Sequence, residues 1–235
     1  MAMSALAFGL FTAVLGIVSE SQAIHGFHNA VVATLLVVIS APAAIAAARA
    51  PERSIGPLVH LSVVGVAGLI TMALGLTVDP FTLPFIVLVG VLWAVRPSRE
   101  RPFPRGRPSP ILLALVLAAA VPLVAYALGQ AELQRIDSTS EHAEFYHWVE
   151  TSFTAVAVLL LGLLTAVRPV ASRLSARSAG VALAVLGGAS LALPGRASAL
   201  DAEWAWAALA GGLVFIAGAA WEARRLRVAH TAGRG

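Results

Sequence analysis

The chain has 235 residues, of which 59% are hydrophobic and 12% are charged, and because soluble domains carry about 25% charged residues this composition excludes an ordinary soluble fold. It has no cysteine, which excludes disulfides and thiolate metal sites, and no lysine, which excludes a retinal-type Schiff base. The net charge of +4 comes from arginines placed between apolar segments, which favours contact with anionic lipid and argues against nucleic acid.

Eight apolar segments follow one another along the chain. Each is long enough, or nearly so, to cross a membrane as a helix of about 20 residues. We therefore predict an all-α fold, a polytopic integral membrane helical bundle of about eight transmembrane helices. The fourth and seventh segments are the shortest. The segments are residues 2–19, 30–48, 55–78, 81–95, 111–130, 151–167, 179–193 and 204–221.

The first segment also has some features of a signal peptide. It is followed closely by Ser-Gln-Ala at residues 21–23, which suits cleavage. However, it lacks a positively charged region before the apolar run, and that run is longer than is usual in signal peptides. We expect the segment to be retained. Its removal would leave seven spans and an outward N-terminus.

The charges alternate between the gaps that separate the segments. Arginines dominate the gaps after the second, fourth, sixth and eighth segments, whereas the other gaps keep only Arg135 and Arg196. Cytoplasmic loops of membrane proteins retain Arg and Lys, so this pattern predicts that both termini are cytoplasmic. We expect a multi-pass protein of a bacterial plasma membrane, with the lipid bilayer as its main partner.

A basic, proline-rich stretch divides the segments into two groups of four. The division predicts a first half at 1–98, a linker at 99–110, a second half at 111–226 and a tail at 227–235. His28 precedes Arg49 by the same spacing as His147 precedes Arg168, since 49 − 28 equals 168 − 147. In that register His25 corresponds to Glu144. A tandem repeat and a coincidence of topology both remain open.

Two segments on the predicted outer side carry side chains capable of chemistry. The first, residues 19–30, reads SESQAIHGFHNA, and the second, residues 138–150, reads STSEHAEFYHWVE. Ser138 or Ser140 can cap a helix that starts near Thr139, and on that helix Glu144 and His147 share a face. Glu-x-x-His is the spacing found in carboxylate-bridged dimetal bundles.

We predict a transition-metal or haem site where these two segments meet. Imidazole and carboxylate ligands suit zinc, copper, iron or manganese. The prediction requires the side chains of His28 and His147 to lie within about 8 Å of each other. Without any metal, helix dipoles favour single acidic residues at helix N-termini, and membrane interfaces favour single amphipathic side chains such as histidine. The predicted ligands are Glu20, His25, His28, Glu144, His147 and Glu150.

Two other classes of function stay open. The chain could be a scaffold or assembly subunit, bound to a membrane-protein partner or to its own copies, or a transporter of small solutes. His60, inside the third segment, fits a hydrogen-bonded packing role better than a ligand role. The sequence has no nucleotide-binding loop, HExxH or G-x-S-x-G motif, and it leaves open whether the protein is an enzyme.

The layout of eight spans in two halves, with histidines on the outer side, resembles the architecture of the haem A synthases. That family pairs histidines on several helices of each half. The fourth and eighth segments of this chain contain none. The resemblance implies the overall helical architecture, and neither residues nor activity are carried over from it.

Overall fold

The computed structural model describes residues 25–96, 107–137, 139–168 and 172–232, and these residues form helices and connecting turns without strands. We number the helices in chain order. They are α1 Gly26–Arg49, α2 Ile55–Gly75, α3 Thr82–Val95, α4 Pro110–Ile136, α5 Glu141–Glu144, α6 His147–Val167, α7 Arg173–Ala192 and α8 Ala202–Ala232.

Six of these helices are long and apolar enough to cross a membrane, namely α1, α2, α4, α6, α7 and α8. The predicted helical membrane bundle is confirmed at this level. The predicted fourth span is the 14-residue helix α3, which is shorter than the other six. The predicted first span, 2–19, lies outside the described residues. The count of eight therefore stays a prediction.

Helix α6 forms the centre of the bundle. It packs against α2, α4 and α7, and most of its side chains are buried, including Phe153, Val158 and Leu161. A helix that is apolar on all sides is typical of a bundle interior. His147 is the first residue of α6 and therefore lies near the bundle axis at one end of the bundle.

Helix α1 contains a π-helical stretch, Thr34–Ser40. Such a stretch frees backbone carbonyls from the regular ladder, and these need new partners inside a membrane. His60 of α2 donates from Nε2 to the Ile39 carbonyl at 2.8 Å and accepts at Nδ1 from the Ser175 hydroxyl at 3.0 Å. Ser178 donates to the Val38 carbonyl at 2.9 Å. The packing role predicted for His60 is confirmed.

Helices α7 and α8 approach each other through glycines. A Cβ atom added to Gly187 would collide with the backbone of Ala205 and Leu209, and one added to Gly212 would collide with the Gly180 carbonyl. Small residues at such contacts let membrane helices pack backbone to backbone. The loop between the two helices, residues 193–201, lies at the same end of the bundle as His147, because its Ser198 contacts His28.

The exposed surfaces along the sides of the bundle are apolar. Large side chains such as Val87, Leu117, Val121 and Leu213 are more than half exposed. Patches of this kind on a soluble monomer would cause association. On helices of this length they fit a lipid bilayer.

Candidate metal centre

The N-terminal ends of α1 and α6 meet at one end of the bundle. His25 immediately precedes α1, His28 lies in its first turn, and His147 is the first residue of α6. The His28 and His147 rings stack with 4.9 Å between centroids and an interplanar angle of 9°. The expectation that these two side chains lie within about 8 Å is therefore confirmed.

The helix is interrupted between α5 and α6. The prediction of a single helix through residues 139–150 is therefore wrong. Ser140 caps α5 by accepting from the Ala143 N–H at 3.2 Å. Tyr146 then takes a left-handed conformation, with φ of 61°, before α6 begins. This conformation interrupts the helical phase, so that Glu144 and His147 do not share a helix face. Glu144 is instead exposed.

The break brings His142 into the site. In one continuous helix, His142 and His147 would point about 140° apart, because successive residues turn by about 100°. In the structure their ring centroids are 5.7 Å apart, and His142 also lies 5.1 Å from His25 and 4.7 Å from His28. We call these four residues, His25, His28, His142 and His147, the histidine cluster.

Three members of the histidine cluster could hold a metal ion. One ring nitrogen each from His25, His142 and His147 lies within 4.8 Å of the other two. Around a tetrahedral ion with metal–nitrogen bonds of 2.0–2.1 Å, ligand nitrogens are roughly 3.3 Å apart. A bound ion would therefore have to draw the rings together by about 1.5 Å at most, which side-chain rotation can supply.

The ring nitrogens of His25 have two different environments. Nε2 lies 3.4 Å from the Glu141 carboxylate. Nδ1 is buried, and among the described residues it has no hydrogen-bond partner. The Nδ1 atom of His147 is in the same situation. Buried polar atoms in proteins are nearly always paired, so these two nitrogens need a further partner.

His28 is held by a hydrogen-bond chain on the opposite side of the cluster. The Ser198 hydroxyl donates to the Gln130 side-chain oxygen and lies 3.0 Å from His28 Nε2. A hydroxyl has one proton, so Ser198 must accept from His28, which fixes the proton of that ring on Nε2. The lone pair of His28 is then on Nδ1, which is buried without a partner among the described residues.

Aromatic rings enclose the histidine cluster. The Trp148 ring stacks on His142 with 4.9 Å between centroids. Phe27 meets His28 edge-on at 5.7 Å, and Phe145 covers His147 at 5.9 Å. These rings reduce the access of water to the imidazoles. A low local dielectric strengthens any charge interaction formed there.

The predicted acidic ligands are placed differently from the histidines. Glu20 lies outside the described residues. The Glu144 and Glu150 carboxylates are not part of the three-residue group. Glu150 is buried in the first turn of α6. The structure thus brings together His25, His28 and His147 and adds His142.

No protein-family model, curated protein or solved structure matches this chain. The resemblance to the haem A synthases consequently rests on layout alone.

Proposed function

We propose that this chain is an integral membrane protein that binds one transition-metal ion through His25, His142 and His147. One observation carries the proposal, which is the approach of three imidazole nitrogens to within 4.8 Å of one another. They come from three separate elements, the start of α1, α5 and the start of α6. A purely structural scaffold gives no reason to gather ligand nitrogens in this way.

The ligand chemistry narrows the choice of metal. An all-imidazole set suits copper, zinc or iron better than manganese, which favours carboxylates. Three protein ligands also leave a fourth position open for water or an exchangeable ligand, as in catalytic zinc sites. Such a position fits either transfer of the ion or activation of a bound molecule.

A haem is less well supported than a free ion. Two axial imidazoles coordinate haem iron from opposite faces of the porphyrin. In the histidine cluster, the His28 and His147 rings stack directly at 4.9 Å, and the His28 and His142 rings are 4.7 Å apart. These separations leave no space for a macrocycle between any of these rings.

We further propose that the site lies where two related halves, 1–98 and 111–226, meet. Its ligands come from both halves. In the proposed repeat α1 corresponds to α6, and α2 to α7. Helix α2 packs on α6, α1 packs on α7, and α1 meets α6 directly. A two-fold relation produces reciprocal contacts of this kind, and it accounts for the stacking of His28 on its counterpart His147.

The arginine pattern supports the remaining part of the proposal. It assigns the histidine end of the bundle to the outer face of a plasma membrane and both termini to the cytoplasm. The site would then exchange metal with the extracytoplasmic side.

Cobalt titration of the metal-free protein in detergent tests the metal proposal. We expect a visible-region absorption band from tetrahedral Co²⁺ that saturates at one ion per chain. His142→Ala should weaken binding by more than about 100-fold, because loss of a group that merely orients a ligand already costs about 10–100-fold. His230→Ala, near the C-terminal end of α8, is the matched control and should bind normally. Equal binding by both variants would contradict the proposal.

A further inference from the structure

A second feature lies outside the histidine cluster, in the membrane-spanning part of the second half. A cavity of about 620 Å³ separates α4 from α8, with α6 and α7 at its base. Its volume falls in the range of about 300–1,000 Å³ that is typical of small-molecule sites. We call it the α4–α8 cavity.

The α4–α8 cavity is elongated along the helix axes. On α4 its wall runs from Leu115 to Tyr126, and on α8 from Trp204 to Phe215. Each stretch advances 11 residues, or roughly 16 Å at 1.5 Å per residue. The two helices run in opposite directions, so both walls cover the same depth. That depth is about half of the 30 Å hydrocarbon thickness of a bilayer.

The walls are apolar along most of this length. Val116, Leu159, Leu183 and Phe215 are typical of the lining. Water is disfavoured in a space with so few polar partners. A peptide strand is equally unsuited, since its backbone groups would remain unpaired there.

One end of the cavity is polar, and it is the end next to the histidine cluster. There the Tyr126 hydroxyl donates to the Ser198 carbonyl at 2.7 Å. Ser198 is held in a left-handed conformation, with φ of 67°, and its hydroxyl contacts His28. Trp204 lies in the first turn of α8, a position where tryptophan commonly marks the headgroup level of a membrane.

We infer that the α4–α8 cavity binds the hydrocarbon tail of one bilayer lipid whose headgroup lies on the histidine side, at the end of the cavity lined by Tyr126 and Trp204. The length of roughly 16 Å and the apolar lining match a hydrocarbon tail, and the polar end on the histidine side matches a headgroup. Gly211 lies midway along the α8 wall, and its missing side chain keeps the cavity open.

Photocrosslinking of the full chain in phosphatidylcholine nanodiscs tests this inference. The probe is a phosphatidylcholine that carries a diazirine within one acyl tail, and adducts are mapped by peptide mass spectrometry. We expect the adducts to concentrate on residues 115–126 and 204–215. Gly211→Leu should lower their yield at least about fivefold, because the new side chain narrows the cavity midway along its length and obstructs an extended tail. Its Cβ starts 3.8 Å from Leu183, so the substitution causes no clash with the backbone.

Gly90→Leu is the matched control. Gly90 is exposed on α3, outside the cavity, and a Cβ there has no atom within 4 Å. This variant should retain the wild-type adduct pattern. Adducts spread evenly over exposed residues such as Val66 and Val91, or an unchanged yield in Gly211→Leu, would overturn the inference. Cobalt binding by Gly211→Leu should stay normal, so this result is separate from that of the metal proposal.

Discussion

The two nitrogens of His25 show how single residues shape the candidate site. Nε2 faces the Glu141 carboxylate, and Nδ1 is the buried atom without a partner among the described residues. A carboxylate that accepts from one ring nitrogen orients the ring and raises the basicity of the other. We therefore expect Glu141 to orient the His25 ring at the proposed site without being a ligand, a role that spacing along the sequence does not predict.

Substitution of this carboxylate is predicted to weaken metal binding without abolishing it. Glu141 is 65% exposed, so solvent screening should keep the effect of Glu141→Gln on cobalt affinity to roughly three- to tenfold. Glu144→Gln is the matched control, since Glu144 is exposed on the same short helix. Cobalt titrations compare the two. A larger loss in Glu144→Gln would show that the orienting role belongs to Glu144.

At the scale of elements, the break between α5 and α6 decides which histidines meet. Tyr146 occupies a left-handed conformation, which costs a non-glycine residue about 1–3 kcal/mol. Such a conformation persists only where the surrounding structure holds it. Without the break, His142 and His147 would lie on different faces of one helix.

Two substitutions at Tyr146 should therefore have different effects on cobalt binding. Tyr146→Gly fits the left-handed conformation and should retain cobalt binding to within about threefold. Tyr146→Val introduces a β-branched residue that strongly disfavours this conformation, and we expect cobalt affinity to fall by more than about tenfold. Cobalt titration of both proteins is the measurement. Strong binding by the valine variant would mean that the break is not needed for the site.

The close contact between α7 and α8 should make the stability of the protein sensitive to added side chains at this contact. Gly187→Ala places a Cβ against the backbone of Ala205 and Leu209. Overpacking of this kind costs about 1–3 kcal/mol, which should lower the Tm in detergent by roughly 3–10 °C. Gly188→Ala is the control, because a Cβ there meets nothing within 4 Å, and alanine favours helix. Similar Tm changes in both variants would refute the close helix contact.

The elements were more predictable than the site. Long apolar runs predict membrane helices because every backbone polar group in lipid must be paired within its own helix. The same apolar runs predict that His25, His28 and His147 lie at helix ends. The sequence does not predict that His142 joins them, because no glycine or proline indicates the left-handed conformation at Tyr146. A continuous helix would also place Glu144 on the face of His147, and the interruption at Tyr146 removes that face.

At the scale of the whole molecule, the charge pattern predicts orientation. The chain has no cysteine, so single cysteines can report the side of each loop. Thr139 and Glu52 are both exposed, and they lie in loops assigned to opposite faces. In intact cells, a membrane-impermeant maleimide should label Thr139→Cys and leave Glu52→Cys unlabelled until the cells are opened. The reverse pattern would invert the proposed topology.

We propose that the bundle holds a transition-metal ion at its outer end. This proposal depends on the histidine cluster, on the arrangement of the two halves and on the orientation in the membrane. The most direct test is the metal content of the full chain, purified without an affinity tag that binds metal, from cells grown in metal-replete medium. Elemental mass spectrometry should find about one equivalent of copper, zinc or iron per chain. The triple variant in which alanine replaces His25, His142 and His147 should contain none of this metal. Less than about a tenth of an equivalent in the wild-type protein, together with no uptake on addition of these ions, would contradict the account.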